Sequence, residues 1–328
     1  MLKLLTAALC LSAMVLVLQS APVPQVAAPA AGQSTQVVIT VIGDQGQYVR
    51  DLKADDFVLE ENGVRQEITS FTADSEVPLS IGILIDKSAS MRLPLAVQGK
   101  EKVSAALLAA DGAARVLVKL MKPQDEFLFM TFDEGLHVKQ GFSTDHKKLT
   151  DILYKNNTVG GSTHLYHSVV DALKQTKKGK FRKRALVVIT DVHDTSGDKL
   201  DELKASLHDS EIPVYTFGMR WDAWGLPGEE PGQPTFEVSV LREMAVDSGG
   251  RSMVVDIPDL TTDFTVQRMI IFVQDIAAEL RGQYTLRYRS SSPGPDAEKA
   301  IRIRAVSPDY QVRFRRDSSE PVKPTTKK

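Results

Sequence analysis

The chemistry in this chain is concentrated in Leu79–Met91, LSIGILIDKSASM. Asp86, Ser88 and Ser90 place one carboxylate and two hydroxyls at alternate positions, just past the apolar run Ile81, Ile83, Leu84 and Ile85. A run of that length and composition reads as a strand covered on both faces of a parallel sheet. The crevice beyond the carboxyl end of such a strand is where ligands bind in open α/β sheets. Hard oxygen donors with room left for water suit Mg2+ or Mn2+, whereas Zn2+ takes His or Cys. The same residues also suit an Asx or Ser turn that caps the next helix, so the motif by itself leaves both readings open.

The elements that must position this loop follow from periodicity. Arg92–Met121 carries Val103, Ala106, Leu107, Ala110, Ala114, Leu117 and Met121 at helical spacing, and Pro123 stops it. Glu126–Phe132 is a second buried strand, Leu136–Gly141 a short edge strand, and Thr144–Tyr154 a second helix. Val159–His164 is a Gly-rich turn leading into a helix that runs to about Gln175. Lys183–Thr190 is a third buried strand, ending in Asp191-Val192-His193-Asp194. Lys199–Asp209, Phe236–Ser248 and Asp259–Leu280 read as helices, with strands at Pro213–Met219 and Arg251–Val255 between them. Strands alternating with helices predict an α/β, doubly wound, mostly parallel sheet.

Asp86-x-Ser88-x-Ser90 resembles the opening of a metal-ion-dependent adhesion site (MIDAS) in a von Willebrand factor type A domain. The family's Gly-Gly turn followed by Thr-x-Leu-Tyr matches Gly160 to Tyr166, and its strand closing in Ile-Thr-Asp matches Ile189-Thr190-Asp191. The likeness covers roughly residues 77–281, and the layout resembles bacterial exported proteins with a VWFA-related domain. It implies a Rossmann-like sheet with helices on both faces. It also implies a Mg2+ ion (or Mn2+ or Ca2+) held directly by Ser88, Ser90 and Thr163, and by Asp86 and Asp191 directly or through water. The ion's open position would take an Asp or Glu carboxylate of a protein ligand. The chain departs from the family at Val192 and His193, where Gly and an acid are common, and at Tyr166-His167, where Tyr-Asp is common. His164, His167, His193 and Asp194 are therefore rim candidates, with solvated loop residues as the alternative. Trp221 and Trp224, in the Pro/Gly-rich loop Trp221–Thr235, read either as a partner-binding surface or as packing on their own domain.

The two ends of the chain read differently. Residues 1–21 carry an apolar run from Leu4 to Leu18 with a small-residue exit at Ser20-Ala21, which predicts a secretory signal; a retained anchor is the alternative. Residues 22–35, rich in Pro, Ala and Gln, predict a linker. The β segment 36–73 and the β strands in 283–316 are each too small to bury a core alone, so they are expected to pair as a β-sandwich-like module. Residues 317–328 predict a disordered tail. Cys10 is the single cysteine, so an exported mature chain has no disulfide to rely on. A net charge of −2 gives no basic excess for nucleic acid. The expected protein is exported, periplasmic or extracellular, with no membrane span after signal cleavage. Its expected function is metal-dependent protein binding, not catalysis, since no Ser-His-Asp spacing and no His-Glu-x-x-His motif is found. A metal-assisted hydrolase using the same ion and a metal-independent extracytoplasmic scaffold are the alternatives.

Overall fold

The structure, a computed structural model, describes residues 34–92, 95–98, 101–155, 159–191, 194–195, 200–220, 236–256, 263–291 and 300–317. The expected signal, nearly all of the linker, His193, Trp221, Trp224 and the tail beyond Asp317 lie outside the described residues.

In chain order the elements are β1 (Ser34–Ile42), β2 (Phe57–Glu61), β3 (Val64–Gln66), β4 (Ile68–Ala73) and β5 (Leu79–Asp86). Next come β6 (Leu95–Gln98), β7 (Glu101–Ser104), α1 (Ala105–Leu120), β8 (Glu126–Phe132), β9 (Leu136–Ser143) and α2 (His146–Lys155). Then follow α3 (Leu165–Thr176), β10 (Lys183–Thr190), α4 (Leu200–Ser210), β11 (Val214–Arg220), α5 (Phe236–Ser248) and β12 (Ser252–Asp256). The described chain ends with α6 (Asp263–Arg281), β13 (Gln283–Arg289), β14 (Ile301–Ala305) and β15 (Gln311–Asp317).

The α/β fold is the one expected. Six strands lie in the order β12-β11-β10-β5-β8-β9, parallel except for β9, which runs antiparallel to β8 at the edge. Every residue of β5 is buried, because the sheet is covered on both faces. Leu79, Ile81, Ile83 and Ile85 join α1, α2 and α6 in one core, while Leu84 joins α3, α4 and α5 in the other. Gly82 permits the second packing: a Cβ there would meet the Thr176 hydroxyl at the end of α3 at 2.4 Å.

One helix starts later than its periodicity predicts. The helix expected from Arg92 begins at Ala105, and the preceding residues form the β6–β7 hairpin. Pro94 and Gly99 disfavour helix across that stretch, and the apolar spacing becomes helical only from Val103. Ser104 then supplies a proper start, its Oγ accepting the Leu107 N–H at 3.1 Å.

The two chain ends meet in a second body. β15-β1-β13-β4 forms one sheet and β14-β2-β3 another, with β1 antiparallel to both β13 and β15. Val37, Ile39 and Val41 pack with Phe57, Leu59, Tyr284, Leu286, Tyr288 and Ile303 in a core separate from the other two. Phe71 stacks between Phe57 and Tyr284, with ring centroids 5.4 and 5.0 Å away. Glu61 is fully buried there, its carboxylate accepting from the hydroxyls of Tyr288 (2.7 Å) and Ser290 (2.9 Å).

Asp125 and Arg281 tie together the two chain passages that connect the bodies. Asp125 is fully buried, accepts the N–H groups of Leu79 (2.9 Å) and Lys122 (2.8 Å), and pairs with Arg281 at the end of α6. Arg281 also donates to the Val77 carbonyl at 2.9 Å, so the entry to β5 and the exit from α6 share one knot. Glu279 makes a second tie, accepting from the hydroxyls of Tyr48 (3.0 Å) and Tyr215 (3.3 Å), with Arg313 at 3.8 Å. Asp125→Ala leaves a buried guanidinium and two backbone donors without their acceptor. It should cost about 3–5 kcal/mol in chemical denaturation; a loss below about 1 kcal/mol would show that this knot is not structural.

Candidate metal centre

β5 and β10 pair with Ile85 opposite Ile189, which sets Thr190 beside Asp86 and sends Asp191 off the end of the sheet next to it. The sheet changes winding direction at these strands, with β8 following β5 on one side and β10 arriving on the other. A crevice at their carboxyl ends is the expected consequence.

Asp86 is fully buried, and both of its oxygens are engaged. Oδ1 accepts the Ser88 N–H at 2.8 Å, folding the loop back over the strand end, and Oδ2 accepts the Thr190 hydroxyl at 2.6 Å. That turn brings the Ser88 and Ser90 hydroxyls to 3.0 Å of each other. The Gly-rich turn is zipped onto the same loop through Gly160 N–H to Lys87 O (2.9 Å) and Ala89 N–H to Gly161 O (3.1 Å). Gly161 has φ +78°, which few other residues tolerate. Thr163, buried in that turn, is held from the third segment: its N–H donates to Thr195 Oγ1 (3.0 Å), and its carbonyl accepts the Thr195 N–H (2.8 Å). Asp86, Ser88, Ser90, Thr163 and Asp191 thus come from three loops that are mutually hydrogen-bonded at one end of the sheet.

The rim candidates have separate settings. Asp194 accepts the N–H groups of Leu165 (2.8 Å) and Tyr166 (3.4 Å), so a residue of the β10 loop caps α3. His164 is half-buried at the start of α3, and its N–H donates to Asp133 O at 2.8 Å. His167 turns along the helix to Asp171, 3.3 Å away.

Sequence reasoning overlooked Lys87, Thr190 and Thr195. Lys87 is buried and pairs with Asp111 of α1 at 3.5 Å. Burial outweighs their attraction, so the Lys87 ammonium is pushed down and the Asp111 carboxyl up to about 6. The signal for that pair was Asp111 itself, a lone carboxylate next to Ala110 on the apolar stripe of α1.

Burial first, and then the charge of Asp191, push the Asp86 carboxyl from 3.8 up to about 7, against the hydrogen bonds from Ser88 and Thr190. The donor set consists of two carboxylates and three hydroxyls, all hard oxygens. Among the described residues no group of three or more His, Cys, Asp or Glu could hold a metal, so any ion here relies on the hydroxyls. Without metal, the folded state keeps a proton on Asp86 that the unfolded chain loses at lower pH. The contribution of this carboxyl to stability is therefore full below about pH 4 and fades as pH rises through about 7. The wild-type minus Asp86→Asn difference in unfolding free energy, measured by urea in chelator, should fall by up to about 1.4 kcal/mol per pH unit in that window. A difference that does not change with pH would contradict the electrostatic picture of the crevice.

Residues 81–193 match the family model of the von Willebrand factor type A domain, a span that runs from β5 to just past Asp191. No curated protein matches the chain. Among solved structures, the conserved hypothetical protein BatB from Bacteroides thetaiotaomicron is similar at 17% identity and a TM-score of 0.45, covering 61% of this chain and 98% of its own. The von Willebrand factor type A structure from Catenulispora acidiphila is 11% identical over 87% of this chain and 73% of its own, with a TM-score of 0.47. The domain of the type V pili tip protein Mfa5 from Porphyromonas gingivalis is 12% identical over 61% and 94%, with a TM-score of 0.44. The family-model match falls on the segments that build the crevice, within a sheet of the expected winding: residues 81–193 match a von Willebrand factor type A domain.

Proposed function

We propose that this chain is a protein-interaction module whose crevice holds a divalent cation, Mg2+ first, with Mn2+ or Ca2+ as alternatives. Through that ion the crevice captures a carboxylate of a partner protein. The observation that carries this reading is the burial of Asp86 beside Asp191, at the end of the sheet where the loops that carry Ser88, Ser90 and Thr163 are hydrogen-bonded to one another. There, burial and the neighbouring charge both oppose ionisation of Asp86. A divalent cation relieves both penalties at once. Ser88, Ser90 and Thr163 are its direct ligands, and Asp86 and Asp191 bind it directly or through water. Neutral hydroxyls leave much of the ion's charge uncompensated, and that residual charge attracts an anionic group from outside. The ion acts as an electrostatic bridge, and no covalent step is needed. Export to the periplasm or the exterior is part of the proposal and rests on the signal-like start of the sequence. Among the described residues no helix is long and apolar enough to cross a membrane.

The test joins stability to capture. Mg2+ at about one hundred times its dissociation constant should stabilise the wild type by about 2.7 kcal/mol. Ser88→Ala, Thr163→Val and Asp191→Asn should stay folded and lose most of that gain. A partner recovered in Mg2+ from an extracytoplasmic fraction should be released by EDTA and rebound with Mg2+ or Mn2+. It should also fail to bind when one of its Asp or Glu residues becomes Asn or Gln. Unchanged capture by the Asp86→Ala protein in EDTA would overturn the cation bridge.

A further inference from the structure

The opposite end of the sheet carries a second feature. One face of β1-β13-β4 is the apolar core of the sandwich, and the other is polar, as alternation along antiparallel strands requires. That polar face is only partly covered: Ser70 and Thr72 are exposed, Thr285 and Arg287 half-buried, and Gln36, Asp74 and Gln283 buried. It meets the amino-terminal edge of the α/β sheet, where a half-open cavity of about 310 Å³ is lined by Ser70, Thr72, Asp74, Gln283, Thr285 and Arg287, with Gln36, Val38, Val77, Arg182 and Lys183 completing it.

The strand register arranges these side chains in rows. Ser70, Arg287 and Gln36 lie directly across three strands, and Thr72, Thr285 and Val38 form the next row. Asp74 is tied to the Thr285 hydroxyl (2.9 and 3.1 Å) and to Lys183 (3.6 Å), so its charge is met within the wall. Arg287 is anchored at one point only, its Nε donating to Gln36 Oε1 at 3.0 Å. Among the described residues it forms no ion pair, so the two terminal nitrogens of its fork remain available. Gln283 is 5% exposed, and its Oε1 is buried with no hydrogen-bond partner among the described residues. The wall therefore offers a planar cationic fork backed by hydroxyls, and one buried acceptor that needs a donor.

A guanidinium fork matches a carboxylate bidentately, and a buried carbonyl oxygen calls for an N–H or O–H. The volume is that of a small-molecule site and exceeds what one inorganic anion fills. We propose that this cavity binds a small organic carboxylate that also bears a hydroxyl or ammonium group, with Arg287 on the carboxylate and Gln283 on the donor. The ligand would bridge the sandwich and the α/β domain.

The experiment uses the full chain in EDTA, so that a cation in the crevice cannot take up the carboxylate instead. Malate and glutamate are compared with succinate, which lacks the donor, and with inorganic phosphate, by calorimetric titration and thermal melting. Malate or glutamate should raise the melting temperature and bind about ten-fold or more tightly than succinate, and Arg287→Gln should weaken that binding by a similar factor. On the wild type, amide NMR shifts should appear at Ser70, Thr72 and Arg287 and not at Ser88, a readout that does not depend on how well the variant folds. Binding of none of the four, a preference for phosphate, or shifts confined to the Ser88 loop would overturn the assignment and leave the seam a water-filled space.

Discussion

The register between β5 and β10 is the constraint on which the rest depends. Both strands are buried on both faces, and pairing Ile85 with Ile189 sorts their side chains into the two cores. A slip of one residue would exchange those faces and cannot be absorbed in a close-packed interior. The same register puts the Thr190 hydroxyl on Asp86 and leaves Asp191 beside it. Packing that stabilises the fold thus also holds two carboxylates where their charges conflict. Local strain of this kind persists only where the surroundings over-determine it, and here two complete hydrophobic cores do so.

The sandwich shows the opposite economy. Its strands come from residues far apart in sequence, so it forms only when the α/β domain between them brings its own ends together. The Asp125–Arg281 knot gathers the turn before β8, the approach to β5 and the exit from α6. Tyr48, reaching Glu279 from the sandwich side, is held protonated by burial first and by that carboxylate second. These ties are polar because a joint between two bodies must satisfy backbone groups that neither sheet can pair.

How much could be read beforehand follows from how local each cause is. β5, β8 and β10 were legible because a strand buried on both faces writes itself as a continuous apolar run. The positions of Ser88, Thr163 and Asp191 at one end of the sheet were legible because each stands at a strand end or in a Gly turn and resembles a known pattern. The β6–β7 hairpin was not, since an apolar stripe farther along the chain suggests one long helix in spite of Pro94 and Gly99. Asp194 capping α3 and Thr195 holding Thr163 are contacts of about thirty residues' separation, and nothing local encodes them. Gln283, Thr285 and Arg287 alternate like the outer face of a solvated strand. Only the assembled sheet shows that face to be partly covered, with Gln283 buried and Arg287 half-buried.

β5 and β10 each connect the two ends of the molecule. β10 begins at Lys183 on the wall of the seam cavity and ends at Thr190 on Asp86, while β5 is preceded by Val77 at the cavity and ends in the crevice. Eight residues of strand at about 3.3 Å each separate the two places by about 26 Å. Coupling over that distance needs an element with two arrangements that both ligands bias differently. A strand locked on both faces and in both neighbouring registers has one arrangement. A cation proposed for the crevice and a carboxylate proposed for the seam would therefore bind independently, with the sheet between them as a spacer.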